Sequence, residues 1–270
     1  MLVKAFFYEP AKHIYKLLTD VDYREWCIQS TKLGRLRRFT KCHGKVRKWH
    51  VNIPDAASFL SAYKEIFVSK IYQFEFENDQ PAILDLGANI GLSVLYFKTI
   101  FPKAKITAFE ADPKIFSYLE YNILTNGFSD VELINKAIWN QNSILSFNAE
   151  GADGGRISDM PTEKMIEIEA VDIRDHLEQH HYDFLKMDIE GAEDEVFLAL
   201  ENYLVKFKFI FLEYHSIVNK PQKLAQMLDM MTKNGFRYDI QSVINKKHPF
   251  IFSSNFLDFE QQLNIFAWKE

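Results

Sequence analysis

The sequence predicts an α/β fold: a doubly wound, mostly parallel seven-stranded sheet, with a C-terminal antiparallel hairpin and a mainly helical N-terminal accessory segment. Three observations predict it. From Pro81 onward, short apolar runs alternate with stretches of helical periodicity. The first run ends in a glycine turn, Gly87-Ala88-Asn89-Ile90-Gly91, and the second ends in an acid, Glu110. The last two apolar runs, residues 236–240 and 263–268, can close the sheet as an antiparallel pair.

The elements follow in order. Residues 1–70 read as the accessory segment, with helices over 10–18, 23–33 and 55–69; in the last, Phe59, Leu60, Tyr63, Ile66 and Phe67 repeat at helical spacing after Pro54. Residues 72–76 alternate strictly and suit a strand or an extended lead-in to the main domain, 71–270. The alternation then gives strand 82–86, helix 93–100, strand 105–109, helix 113–126 and strand 131–134. Asn126-Gly127 closes its helix, because glycine accepts the left-handed conformation a helix end requires. Residues 143–170 read as an inserted hairpin-like excursion with a glycine-rich turn at Asp153-Gly154-Gly155-Arg156. That turn suits a plain loop or a flap whose Arg156 grips an anion. Strand 183–187, helix 192–203, strand 207–212 and helix 220–234 complete the pattern.

A chain of 270 residues, 47% hydrophobic and 26% charged, has the composition of one large globular domain with an appendage, which excludes disorder and fibrous repeats. No apolar run approaches the roughly 18 residues needed to span a bilayer. The N-terminus lacks the apolar core of a secretion signal. Cys27 and Cys42 alone make neither a disulfide framework nor a metal site. A cytoplasmic protein is the expectation. The net charge of −5 conceals a block at 32–48 with eight Lys or Arg and no acid, which fits either a polyanion site or a solvated face.

In a doubly wound sheet, ligands bind beyond the carboxyl ends of the strands. Gly87 and Gly91 permit a tight turn and close backbone approach there. A dinucleotide fingerprint would have glycines at 89 and 92, where this chain has Asn89 and Leu92. Their absence weighs against a bound pyrophosphate and a dehydrogenase, but not against S-adenosylmethionine (SAM), which has no phosphate. Glu110 is placed to accept both ribose hydroxyls. Asp85 is expected to hold the cofactor ammonium directly or through water, and Asn135 and Ala137 to meet the adenine edge.

With those motifs, residues 81–215 resemble the FkbM family of SAM-dependent methyltransferases. The resemblance rests on residues 83–91, on Ala108-Phe109-Glu110-Ala111-Asp112-Pro113, and above all on Leu185-Lys186-Met187-Asp188-Ile189-Glu190-Gly191-Ala192-Glu193. The family usually has Glu-Pro where this chain has Glu110-Ala111, and the basic block lies outside the resemblance. It implies O-methylation of a hydroxyl, often on a sugar.

An aliphatic hydroxyl needs a general base or a metal to react at neutral pH. Asp188 ends the fourth strand, and Glu213, Tyr214 and His215 follow the fifth. Two mechanisms fit: proton removal by His215 or Asp188, or a divalent cation held by Asp188, Glu213 and His215, with the metal-free version preferred. Glu190 and Glu193 also suit plain helix N-terminal acids. The leading reading is a SAM-dependent O-methyltransferase acting on a saccharide or related hydroxylated small molecule. The basic block would then contact a phosphate on a lipid- or nucleotide-linked glycan, and the aromatic N-terminal segment would be a homodimer interface or a lid. RNA methylation through the basic block is an alternative without aromatic RNA-binding signatures to support it. A non-catalytic SAM-binding or partner-binding module is another, disfavoured by acids at both strand ends.

Overall fold

The computed structural model describes residues 9–149, 151, 155–157, 165–218, 220–244, 250 and 259–270. Residues 152–154 of the glycine-rich turn and the Arg156 side chain lie outside that description, and with them the flap reading.

The chain opens with α1 (Glu9–Thr19) and α2 (Val21–Leu33), whose N-terminus is capped by the Asp20 carboxylate accepting from the Tyr23 amide. The eight basic residues of the 32–48 block are all exposed, as on a solvated face, but the segment that carries them is folded and is no free arm. It contains an antiparallel hairpin of β1 (Cys42–Val46) and β2 (Trp49–Ile53), which turns its Val46, Trp49, Val51 and Ile53 into the core. Arg47, left-handed at the reversal, forks onto the buried Asp22 carboxylate with contacts of 2.9 and 2.8 Å. Arg38 pairs with the buried Asp55 at 2.6 Å. Asp55 caps α3 (Ala56–Tyr63), which runs into a π-helical turn, Lys64–Val68, closed by the Ser69 amide on the Lys64 carbonyl at 2.8 Å. Residues 72–76 form no strand: Tyr72 belongs to a turn closed by the Gln73 amide on the Lys70 carbonyl at 2.9 Å, and Phe74 lies 4.7–5.2 Å, ring to ring, from Phe101, Phe184 and Phe209.

The α/β alternation follows as expected: β3 (Ala82–Leu86), α4 (Leu92–Ile100), β4 (Lys105–Phe109), α5 (Pro113–Leu124) and β5 (Glu132–Ile134). The excursion is a sheet of its own. It comprises β6 (Ala137–Trp139), β7 (Ser143–Asn148), β8 (Arg156–Ile157) and β9 (Met165–Asp172) in the order β6-β9-β7-β8. After α6 (Ile173–Gln179) come β10 (Phe184–Met187), α7 (Glu193–Ala199), a 3₁₀ turn, β11 (Phe209–Ile217), α8 (Leu224–Lys233), β12 (Arg237–Ser242) and β13 (Phe259–Trp268).

The main sheet has seven strands in the order β12-β13-β11-β10-β3-β4-β5. The central strands β11, β10, β3, β4 and β5 are parallel, and β13 lies antiparallel between β11 and β12. The direction of winding reverses between β3 and β10. That reversal sets the carboxyl ends of these two strands side by side with open space above them. Both sheet faces are covered: Ile83 packs with Val94, Phe97 and the N-terminal Phe59 and Phe67, while Leu84 and Leu86 pack with Val196, Phe197 and Met227. No helix among the described residues is long and apolar enough to cross a membrane.

Candidate functional site

A cavity of about 490 Å³ opens over the β3–β10 switch point. It runs from Glu110 and Ala137 at one end to His215 and Glu213 at the other.

The glycine turn forms its floor. Gly87 has φ +85 and Gly91 φ +92, and a Cβ on Gly91 would come within 2.9 Å of Leu119. Asn89 adopts φ +49, and its amide donates to Glu110 Oε2 at 2.9 Å. The Asp112 amide donates to Glu110 Oε1, also at 2.9 Å, so each carboxylate oxygen keeps one lone pair for a ligand. Burial pushes the Glu110 carboxyl up to about 7, against the pull of those two amides. Ala137, beside Lys136 and Ile138, lines the same end.

Two of the expected cofactor contacts stand elsewhere. Asp85 is fully buried and is not in the cavity wall; it accepts from Ser93 Oγ at 2.5 Å and faces Lys186 Nζ at 3.3 Å. Its ammonium partner is therefore the chain's own lysine. Asn135 is exposed and braces the strand end from outside, its Nδ2 donating to the Glu110 carbonyl at 2.8 Å.

Lys186 escapes a reading of the motif by strand periodicity. It is 2% exposed, donates to the Gly87 carbonyl and lies 3.6 Å from Asp188. Burial works against its charge, but Asp85 and Asp188 outweigh it and hold the ammonium above its ordinary range. A lysine inside an otherwise apolar buried strand was the available signal, since buried lysines are paired.

At the far end the motif after β10 makes a tight reversal. Glu190 at φ +57 and Gly191 at φ +95 are consecutive left-handed residues, and the Glu193 carboxylate satisfies the Ile189 and Gly191 amides at 3.0–3.1 Å. The same carboxylate meets His215 Nδ1 at 3.1 Å. Glu193 thus serves the turn and the histidine together.

Glu213 and His215 lie within β11, not beyond it, because β13 pairs along β11 as far as Ile217. His215 Nε2 faces Glu190 at 3.8 Å and Glu213 at 3.9 Å. Burial opposes the imidazolium, yet Glu193, Glu190 and Asp188 raise the ring to about 10. Burial would raise Glu193 too, but the His215 charge and hydrogen bond hold it below its ordinary value. Burial and the Asp188 charge push Glu213 up to about 8. Burial also holds Glu190 well above the carboxylate range. As an imidazolium with both nitrogens facing carboxyl groups, His215 has no lone pair for a substrate proton; Asp188, the other expected base, lines the cavity.

Asp188, Glu190 and His215 each offer one ligand atom, all within 4.8 Å of one another. Glu190 takes the place expected for Glu213, one of whose oxygens is engaged by Gln262.

The sequence profile described as methyltransferase FkbM domain matches residues 85–238. Methyltransferase sdnD of Sordaria araneosa is 28% identical over 175 residues, covering 52% of this chain and 68% of that protein. The 2-O-methyltransferase NoeI of Sinorhizobium fredii is 25% identical over 191 residues, covering 63% of this chain and 75% of that protein. The crystal structure of a methyltransferase FkbM from Methylobacillus flagellatus covers 91% of this chain and 59% of its own at 14% identity, with a TM-score of 0.46. With more than half of its residues matched and the glycine turn, Glu110 and the Asp188–Glu193 reversal gathered around one cavity, the chain belongs to the FkbM family of methyltransferases.

Proposed function

We propose that the protein is a SAM-dependent O-methyltransferase whose acceptor is a hydroxyl of a saccharide or related small molecule. The observation that carries this reading is the group of acids, Asp188, Glu190 and Glu213, lining the cavity opposite the end formed by Glu110 and Ala137. The relative NoeI, named as a 2-O-methyltransferase, supports the choice of oxygen.

The donor set fits SAM. Glu110 retains a free lone pair on each oxygen for ribose hydroxyls, Ala137 and Ile138 offer apolar walls for adenine, and the turn at 87–91 presents backbone at close range. When bound, SAM supplies the electrophilic methyl group. The protein's part is to align the acceptor and to take its proton. Asp188, half-buried at the cavity wall and steadied by Lys186, accepts the hydroxyl proton as the oxygen attacks. His215 stays protonated, anchored by Glu193, and faces Glu190 and Glu213 beside the acceptor.

A second mechanism is favoured by the clustering of Asp188, Glu190 and His215. With Glu193 behind Nδ1, these residues match a carboxylate–histidine–metal arrangement and would hold a divalent cation. Such a cation would acidify the acceptor hydroxyl as a Lewis acid.

The test is methyl transfer from SAM to a panel of mono- and oligosaccharides, with and without EDTA, beside a thermal-shift titration with S-adenosylhomocysteine. Transfer to a sugar hydroxyl that survives EDTA supports the carboxylate-base version, and loss of transfer restored by magnesium or manganese supports the cation. Stabilisation by S-adenosylhomocysteine, about 2.7 kcal/mol at 100 times its Kd, with no sugar methylated would overturn the acceptor assignment alone.

A further inference from the structure

The acceptor end of the cavity is completed by residues outside the matched region 85–238. Ser58, Ser61, Ala62 and Glu65, on one face of α3 and its π turn, line the cavity, while Tyr63 and Phe67 on the other side are buried in the core. Single π turns inside helices concentrate at functional sites. Here the turn carries Glu65, the charged residue of that face.

Glu65 and Glu213 are held in the same way. Asn264 Nδ2 donates to Glu65 Oε1 at 3.1 Å, and Gln262 Nε2 donates to Glu213 Oε1. Gln262 and Asn264 are two positions apart on β13, opposite His215 and Glu213 in the register, so all four share one face of the sheet. Each amide fixes one oxygen of its carboxylate. The other oxygen of each has no protein partner among the described residues. The nearby cations are paired with acids: Lys186 with Asp85 and Asp188, His215 with Glu193, Glu190 and, at 3.9 Å, Glu213 itself, and Arg38, on the same cavity wall, with Asp55. An anionic acceptor group would face the acids of this wall, Glu65, Glu213 and Asp188.

We propose that Glu65 and Glu213 form the acceptor-selecting pair of this site and take a neutral polyol by two of its hydroxyl groups, with Asn264 and Gln262 as their positioning residues. This rests on the saccharide reading above and deepens it. A carboxyl with one oxygen pinned presents the other in a fixed direction before the ligand arrives, and whether charged or protonated it can exchange a hydrogen bond with a hydroxyl, which is donor and acceptor both. Any phosphate or lipid carried by the acceptor lies outside this end of the cavity.

The experiment measures kcat and KM for methyl hexopyranosides, their single-deoxy analogues and their amino-deoxy analogues, in the parent protein, Glu65→Gln and Asn264→Ala. S-adenosylhomocysteine binding is followed by thermal shift in each. A deoxy position read by the pair should cost the parent roughly ten- to a hundredfold in kcat/KM, the scale for a hydrogen bond to a charged group. Glu65→Gln should raise KM for the full sugar by about tenfold at nearly unchanged kcat and erase most of that discrimination. Asn264→Ala should do the same, and the double variant should be little worse than either single. Unchanged KM and discrimination in both variants, with S-adenosylhomocysteine binding intact, would overturn the proposal while leaving sugar methylation standing. Tighter use of the amino-deoxy analogues would overturn it in favour of a cationic acceptor. A parent protein that binds S-adenosylhomocysteine but methylates no sugar would remove the saccharide reading, and this proposal with it.

Discussion

Gly87 and Asp188 meet backbone to backbone: a Cβ on Gly87 would sit 1.8 Å from the Asp188 carbonyl oxygen. The two strand ends at the switch point are therefore in contact, and the glycine turn and the proposed base share one rigid junction. Gly87→Ala must force them apart, adding to the roughly 1–3 kcal/mol of strain for a side chain held at positive φ. The expected outcome is a lowered urea midpoint and loss of the thermal response to S-adenosylhomocysteine. A variant that binds it as tightly as the parent would remove the glycine turn from the cofactor pocket.

Lys186 neutralises Asp85, which is wholly buried. Lys186→Met leaves that carboxylate without its ammonium and should cost about 3–5 kcal/mol of stability, measured by urea denaturation. Adding Asp85→Asn to the same chain should recover much of the loss. An additive double variant would mean the two groups do not form one unit.

The pH profile of stability carries the signature of Glu213. Its carboxyl titrates near 8 in the folded chain against an ordinary 4.5, because burial and Asp188 outweigh the His215 charge. Folded protein thus holds a proton that unfolded chain has released between those values. The group's contribution is complete below pH 4.5 and is lost as pH rises towards 8, at about 1.4 kcal/mol per pH unit. Glu213→Gln should flatten the urea-derived free energy over that window, and a slope identical to the parent's would argue that Glu213 titrates normally. The His215 contribution has the same sign in a higher window, present below 6.5 and lost as pH climbs to about 10.

Asp188→Asn retains the shape of the side chain and removes its basicity. It should leave S-adenosylhomocysteine binding within a fewfold of the parent and lower kcat by roughly 10²–10⁴, the usual range for a general base. Full turnover by this variant would return Asp188 to a purely structural role.

The parallel strands were legible because each is an apolar run of strand length ending in a turn or acid, and Lys105–Phe109 coincides with its expectation residue for residue. Gly87, Asn89, Gly91 and Glu110 follow from local geometry and stand around the cavity floor. The departures all depend on distant partners. The β1–β2 hairpin was hidden by its charges, although Trp49-His50-Val51-Asn52-Ile53 alternates; nothing near Arg47 announces that Asp22, 25 positions away, absorbs its charge. Strand β11 runs on through Glu213 and His215 because β13 pairs with it from some 50 positions downstream. Asp85 looked available to a ligand because its internal partner, Lys186, sits about 100 residues later.

The hydrogen bond between Asn264 and Glu65 closes a loop of 199 positions, whereas the contact between Asn89 and Glu110 closes one of 21. The two ends of the cavity therefore differ in when they can form. During synthesis, the Glu110 end can assemble once the chain has emerged through β6, but the Glu65–Glu213 end waits for the final strand and the slow closure that distant pairing entails. A chain caught between those two events would have a formed Glu110 end and an unformed Glu65–Glu213 end. Phe211, which Phe266 of β13 meets ring to ring at 5.3 Å in the finished fold, would remain uncovered until that strand docks.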